Sequence, residues 1–222
     1  MQSVLFSSLL LLCLTTTAAA QDERRLFAGA VFGVSTLSAD GRSIVTATDA
    51  MLSLYKPENG LALNAFAGVH LAEYFSVQGN YMWNRNDVAL VSATAAPARN
   101  VFYEQQRRSQ QHAFDVDGLI YFRRRDSAVR PYLGTGLEVV RFTSATIVAA
   151  SSTGIPLPGA IGSTGVALRS AVGIDLGLTK RVNFRYSFSE TIGRNPISPV
   201  LTPPGERGLA NFQNLFGFVY RF

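Results

Sequence analysis

The chain has 222 residues, 47% of them hydrophobic and only 16% charged, with 19 glycines and one cysteine. Such a composition supports one domain of ordinary size and excludes a disordered chain, a collagen-like fibre and a coiled coil. Cys13 alone permits no internal disulfide or cysteine zinc cluster, and His70 and His112 are too few for a histidine-rich metal site, so no metal or other cofactor is expected. The net charge of +5 is too small to indicate a nucleic-acid partner.

Residues Met1 to Ala20 carry no charge, contain the apolar run Leu9 to Leu14, and end in Ala18-Ala19-Ala20 ahead of Gln21-Asp22-Glu23. This is the pattern of a cleaved secretory signal peptide, residues 1–20, although Met1 to Ser3 lacks the usual basic residue. The run is too short for a helix crossing a hydrocarbon core, which needs about 20 apolar residues. Cys13 follows Leu10-Leu11-Leu12, not the small residues of a lipoprotein cleavage site. An exported chain starting at Gln21 would carry no cysteine, which suits an oxidising compartment.

From Arg24 onward apolar residues recur at every second position, the signature of strands. The first segment, Leu26 to Thr36, is the most ambiguous. Gly60 to Leu71 sets Leu61, Leu63, Val69 and Leu71 against Asn64, Gly68 and His70; Phe75 to Asn84 sets Val77, Tyr81 and Trp83 against Gln78 and Asn80. Gln111 to Phe122 opposes Phe114, Val116 and Ile120 to Asp115 and Asp117, and Pro131 to Phe142 opposes Leu133, Leu137 and Val139 to Glu138. Gly165 to Leu178 and Val182 to Ser189 repeat the design, with Arg169, Asp175 and Arg185 on their polar faces. The last segment carries an aromatic stripe, Phe212, Phe216, Phe218, Tyr220 and Phe222, with Arg221 on the other face.

These are eight strands of membrane-crossing length, about 9 to 11 residues or more. Their connections alternate: 72–74, 123–130 and 179–181 are short, whereas 37–59, 85–110, 143–164 and 191–210 are long and rich in turn-forming residues. The expectation is an all-β, eight-stranded antiparallel up-and-down barrel with four long loops at one end and three short turns at the other, occupying residues 21–222. Bulky aromatics sit on one face and glycines such as Gly33, Gly134, Gly136 and Gly173 on the other, which fits a lipid-facing exterior and a narrow, filled lumen. Phe27, Tyr74, Phe75, Trp83, Phe122, Tyr132 and Phe222, near strand ends, are then expected in interfacial girdles. Asp115, Asp117, Glu138, Arg169, Asp175, Arg185 and Arg221 are expected to form a lumen ionic network, because buried charges persist only when paired. A secreted, lipocalin-like ligand-binding barrel is the inside-out alternative.

The chain resembles the OmpA-like small outer-membrane barrels of Gram-negative bacteria over Arg24 to Phe222. Arg130-Pro131-Tyr132-Leu133-Gly134-Thr135-Gly136-Leu137 is similar to that family's Pro-Tyr-x-Gly-x-Gly strand, and the terminal Phe222 with Tyr220, Phe218 and Phe216 resembles its C-terminal assembly signal. The resemblance implies a bacterial outer-membrane location, contact with its lipids and lipopolysaccharide, and recognition by the barrel insertion machinery. Unlike the larger members of that family, the chain is expected to stop at the barrel, without a periplasmic peptidoglycan-binding domain.

For chemistry, His112 with Ser109 and Glu104 evokes the His-Ser-Glu set of lipid A deacylating barrels, but the position two residues after the His is Phe114, so no enzyme is expected. Arg99, Arg107 and Arg108 in the second long loop are candidates for lipopolysaccharide phosphates. The third long loop has no charge and starts Thr143-Ser144-Ala145-Thr146-Ile147-Val148-Ala149-Ala150, which would extend a strand beyond the membrane or form an adhesive edge. A structural or adhesive role through an unknown extracellular ligand is therefore expected, with a narrow or gated channel for small solutes as the alternative.

Overall fold

The computed structural model describes residues 25–38, 41–45, 51–94, 101–151, 157–200 and 208–222. Residues 1–20, assigned above to a signal peptide, and Arg99 lie outside them. Ten strands follow in order: β1 (Leu26–Ser38), β2 (Gly41–Val45), β3 (Met51–Pro57), β4 (Gly60–His70), β5 (Phe75–Thr94), β6 (Val101–Tyr121), β7 (Val129–Ser151), β8 (Ile161–Gly177), β9 (Val182–Arg194) and β10 (Gly208–Arg221). Every pairing is antiparallel, and the order β5-β4-β1-β10-β9-β8-β7-β6 closes because β5 also pairs with β6. Eight strands thus form the ring, and outside it β3 pairs with the upper part of β5 while β2 pairs with β3. Among the described residues the one helical element is the single 3-10 turn Ser198–Val200.

The alternation explains the wall. Phe114, Val116, Ile120 and Phe122 of β6 face outward while Asp115, Asp117, Leu119 and Tyr121 are buried, and the same parity holds around the ring. The outward face turns polar along one level, where Trp83, His112, Arg141 and Thr164 are register partners. Below it, Phe114 to Phe122 spans about the 9 residues a tilted membrane strand requires.

Above that level the structure revises the long connections. β5, β6 and β7 run for 20, 21 and 23 residues, so most of 85–110 and part of 143–164 are strand rather than loop. With β2 and β3 they build a sheet that projects beyond the barrel mouth, in which the β6–β7 ladder resumes after a bulge at Gln106/Arg107 and β3 extends the β5 edge. Two girdle expectations are also corrected: Phe27 and Tyr132 are each 2% exposed and point inward. Phe27 lies on the β1 segment where both faces are apolar, and Tyr132 covers Gly173, where an added Cβ would strike its ring and hydroxyl.

Candidate functional site

The lumen is stacked in layers. At the short-turn end Phe27, Val31, Phe66, Leu119, Tyr132, Leu215 and Val219 make an apolar ring. Arg185 sits at its centre, buried, with its Nε donating to Asp175 Oδ1 at 2.6 Å, Nη2 to Asp175 Oδ2 at 2.8 Å, Nη1 to Gln78 at 2.7 Å, and Nη2 to the Tyr121 hydroxyl at 3.0 Å. Its guanidinium also lies 4.7 Å from the Phe66 ring centre and 4.8 Å from that of Tyr132. Aromatic faces suit a planar cation whose edge is occupied by a bidentate carboxylate.

One level higher Arg169 donates to Asp117 and stands 4.0 Å from Asp115, with Asn80 bonding both carboxylates. Glu138 accepts instead from the Thr191 hydroxyl at 2.8 Å. Gly136 makes room here, since a Cβ would meet the Val116 carbonyl and the Asp117 carboxylate. Above follows an amide and hydroxyl layer, in which Ser35 donates to Asn211 at 2.6 Å and Asn211 donates to Gln111 at 3.1 Å. A second apolar cluster, including Leu90, Tyr103, Phe142 and Leu209, closes the mouth. The space left among Asp117, Arg169, Arg185 and their neighbours is about 10 Å³, room for roughly one water. Six of the seven predicted charges therefore meet in two adjacent layers. The seventh, Arg221, lies at the short-turn end and donates to the Arg125 carbonyl at 2.9 Å.

Sequence reading missed the neutral partners Gln78, Asn80, Tyr121 and Thr191. Their inward parity was legible, but which level each shares with a charge depends on register across strands far apart in sequence.

The other candidates separate. Arg107 is only 1% exposed and turns into the barrel, donating to Gln105 at 2.8 Å and to the Gly159 carbonyl at 2.7 Å, so it does not face a lipid phosphate. Arg108 is exposed, 3.9 Å from Asp87. Ser109 points inward and donates to Ser144 at 2.9 Å, whereas Glu104 and His112 point outward, His112 Nδ1 lying 2.8 Å from the Tyr81 hydroxyl. These three residues do not form a catalytic relay. Among the described residues no cluster suited to a metal ion occurs.

The short turns are tied to each other. Glu73, in the β4–β5 turn, accepts from the Arg125 backbone N–H at 2.6 Å and from its side chain at 3.4 Å. That backbone hydrogen bond, with help from the Arg125 and Arg124 charges, holds the Glu73 carboxyl below its usual range. A lowered folded-state pKa adds stability above the unfolded-state value of about 4.3 and loses it as pH falls through the folded value. Glu73→Gln should therefore cost at most about 1 kcal/mol at neutral pH, since the pair is partly exposed. The difference from wild type in urea unfolding should shrink as pH falls below about 4.3 and vanish once the folded-state carboxyl is protonated; a deficit independent of pH would rule out this linkage.

A helix-free wall closed on itself, apolar outside over one membrane thickness and ionic inside, defines an integral β-barrel membrane protein. The chain belongs to the outer membrane protein beta-barrel domain family, whose pattern matches residues 6–222, and so to the bacterial outer membrane. No curated protein matches it. Among solved structures it is similar to Neisserial surface protein A, at 13% identity and a TM-score of 0.53, covering 89% of this chain and 97% of that one. It is likewise similar to the outer membrane protein OprG from Pseudomonas aeruginosa, at 12% identity and a TM-score of 0.52, covering 89% and 95%. At these identities the likeness is one of fold.

Proposed function

We propose that the protein is a non-catalytic surface-binding barrel, in which the ring is a rigid outer-membrane anchor and the projecting sheet meets partners outside the cell. The observation that carries this reading is the far end of β7. From Ala145 to Ser151 it bonds to β6 on one side, and its ladder with β8 stops at Ser144, leaving the other side without a strand partner among the described residues. Ala145 to Ala150 are all exposed, with Ile147 at 48% and Val148 at 58%, and the stretch has no charge. Proteins normally blunt such an edge with lysine, proline or a covering segment; one left flat and apolar is a template for an added strand. The matching partner is an extended polypeptide, bound by main-chain hydrogen bonds with pockets for alternate side chains. The filled lumen favours this role over conduction, because among the described residues the space between the charge layers is only about 10 Å³ and an apolar cluster lies above them.

The test uses Gram-negative cells displaying the barrel, scored for adherence to cultured epithelial cells and to fibronectin-coated plates. The double change Ile147→Lys and Val148→Lys should reduce adherence about tenfold, equivalent to roughly 1.4 kcal/mol. The heat-modifiable gel band of the folded barrel should persist. Adherence equal to wild type, or wild-type adherence no greater than that of empty cells, would overturn the reading.

A further inference from the structure

Among the described residues the wall of the ring parts between β8 and β9. β8 and β9 pair from Gly177↔Asn183 up to Leu168↔Ile192 and no further, although β8 continues to Ile161 along β7 and β9 continues to Arg194 along β10. The cause is local. Asn195 Oδ1 accepts from the backbone N–H groups of Ile197 at 2.9 Å and Ser198 at 3.2 Å, turning the chain into Ser198–Val200. In a continued register Pro196 would face Thr164, and proline has no N–H to give a neighbouring strand. Gly193 still lies against Ala167, where an added Cβ would sit 3.1 Å from the alanine methyl, so the strands part just above that point.

The break opens on a cavity of about 290 Å³ that reaches from the wall into the lumen. Phe142 and Leu209 line its depth, Gln111 and Asn211 its inner end, and Val166 and Arg194 its mouth. The height of the mouth follows from β8 itself, where the outward Val172, Leu168 and Val166 are apolar and the next outward side chain of that parity, Thr164, is polar. The opening therefore starts in the hydrocarbon of the outer leaflet and ends among head groups. Both exposed cations near it, Arg194 and Arg141, are placed for an anion, and Arg141 Nη1 already donates to Thr164 at 3.0 Å. At this height the β8 edge from Ile161 to Ala167 has no strand partner on the β9 side among the described residues, and unpaired backbone groups are costly near lipid.

We infer that the gap between β8 and β9 is a binding site for one acyl chain of an anionic amphiphile, entering sideways from the membrane. The chain fills the apolar depth, and its carboxylate or phosphate stays at Arg194 and Arg141, where its oxygens also reach the free β8 edge. A cavity at the lower end of the range for small-molecule sites, roughly 300 to 1,000 Å³, holds a single chain and excludes a whole head group. The inference needs only the membrane barrel and is independent of adhesion through β7.

Two photoreactive probes separate the sources of such a chain: palmitic acid carrying a diazirine, and phosphatidylglycerol carrying the same group on one chain. Each is incorporated into phosphatidylcholine vesicles containing the full exported chain, irradiated, and the adducts mapped by peptide mass spectrometry. The expected result is saturable labelling of Ile161 to Ala167 and of the segment around Leu209 by at least one probe, above the non-saturating labelling of Phe114 to Phe122. Saturation by palmitic acid alone identifies a free fatty acid as the ligand, and saturation by phosphatidylglycerol identifies a membrane lipid. Gly165→Trp, at a position where an added Cβ meets nothing within 4 Å, should fill the cavity and cut the saturable labelling about tenfold, with Gly159→Trp as the neutral control. Labelling that is linear in both probes and uniform around the band of the wild-type barrel would overturn the inference, whatever the fate of the tryptophan variant.

Discussion

Arg185→Met should lower the unfolding free energy of the barrel in phosphatidylcholine vesicles by about 3–5 kcal/mol. The side chain it replaces is almost wholly buried, and its loss leaves the Asp175 carboxyl without its cation beside Tyr121, within a ring of Phe27, Phe66 and Tyr132. Methionine matches the aliphatic part of arginine and fills some of the same volume, so the cost comes chiefly from the orphaned carboxylate and not from a cavity. The double change Arg185→Met with Asp175→Asn should therefore recover a large part of the loss, since neighbours in one network are not additive. Urea titration followed by Trp83 fluorescence reads both. If the double variant proves less stable than the single one, the pair is not the source of the effect.

Removing Phe222 should have a still larger effect in cells and a small one in vesicles. Phe222 is 61% exposed on the lipid face, and its backbone N–H donates to the Leu26 carbonyl at 3.0 Å, beside the β1–β10 seam that closes the ring. Deleting it removes little buried area, so refolding into vesicles should change by about 1 kcal/mol or less. The proposal that Phe216, Phe218, Tyr220 and Phe222 are read by the insertion machinery predicts, by contrast, that the deletion variant accumulates in the periplasm as unfolded chain, lacking the heat-modifiable band of outer-membrane fractions. Normal assembly of the deletion variant would remove that role from the terminal aromatic.

The legibility of the molecule follows from distance along the chain. In β10 the stripe Phe216, Phe218, Tyr220 and Phe222 and the opposite set Gln213, Leu215 and Gly217 could be read directly, because period-two parity is local and its two chemistries differ. In β1 the same rule gave no decision, because Phe27 and Val31 face inward while Phe32 and Val34 face outward, all apolar. The long connections misled for a related reason. Residues 85–94 and 101–110 read as loop, yet they pair in register, because the buried face mixes Asn86, Ser92, Gln105 and Arg107 with Val88, Leu90 and Tyr103 and so shows no clean alternation of polar with apolar. The projecting sheet and the uncharged β7 edge follow from that pairing.

By itself the sequence determined the barrel class, the parity of strands whose two faces differ in chemistry, as in β6 and β10, and six of the seven charges expected inside, since alternation and the cost of an unpaired buried charge act residue by residue. Only the tertiary structure decided that Arg185 takes Asp175 while Arg169 faces Asp115 and Asp117, that Arg107 turns into the mouth, and that the wall parts between β8 and β9. Each of these depends on which residues share a level around the ring, and that is set by the stagger of eight strands closing on one another.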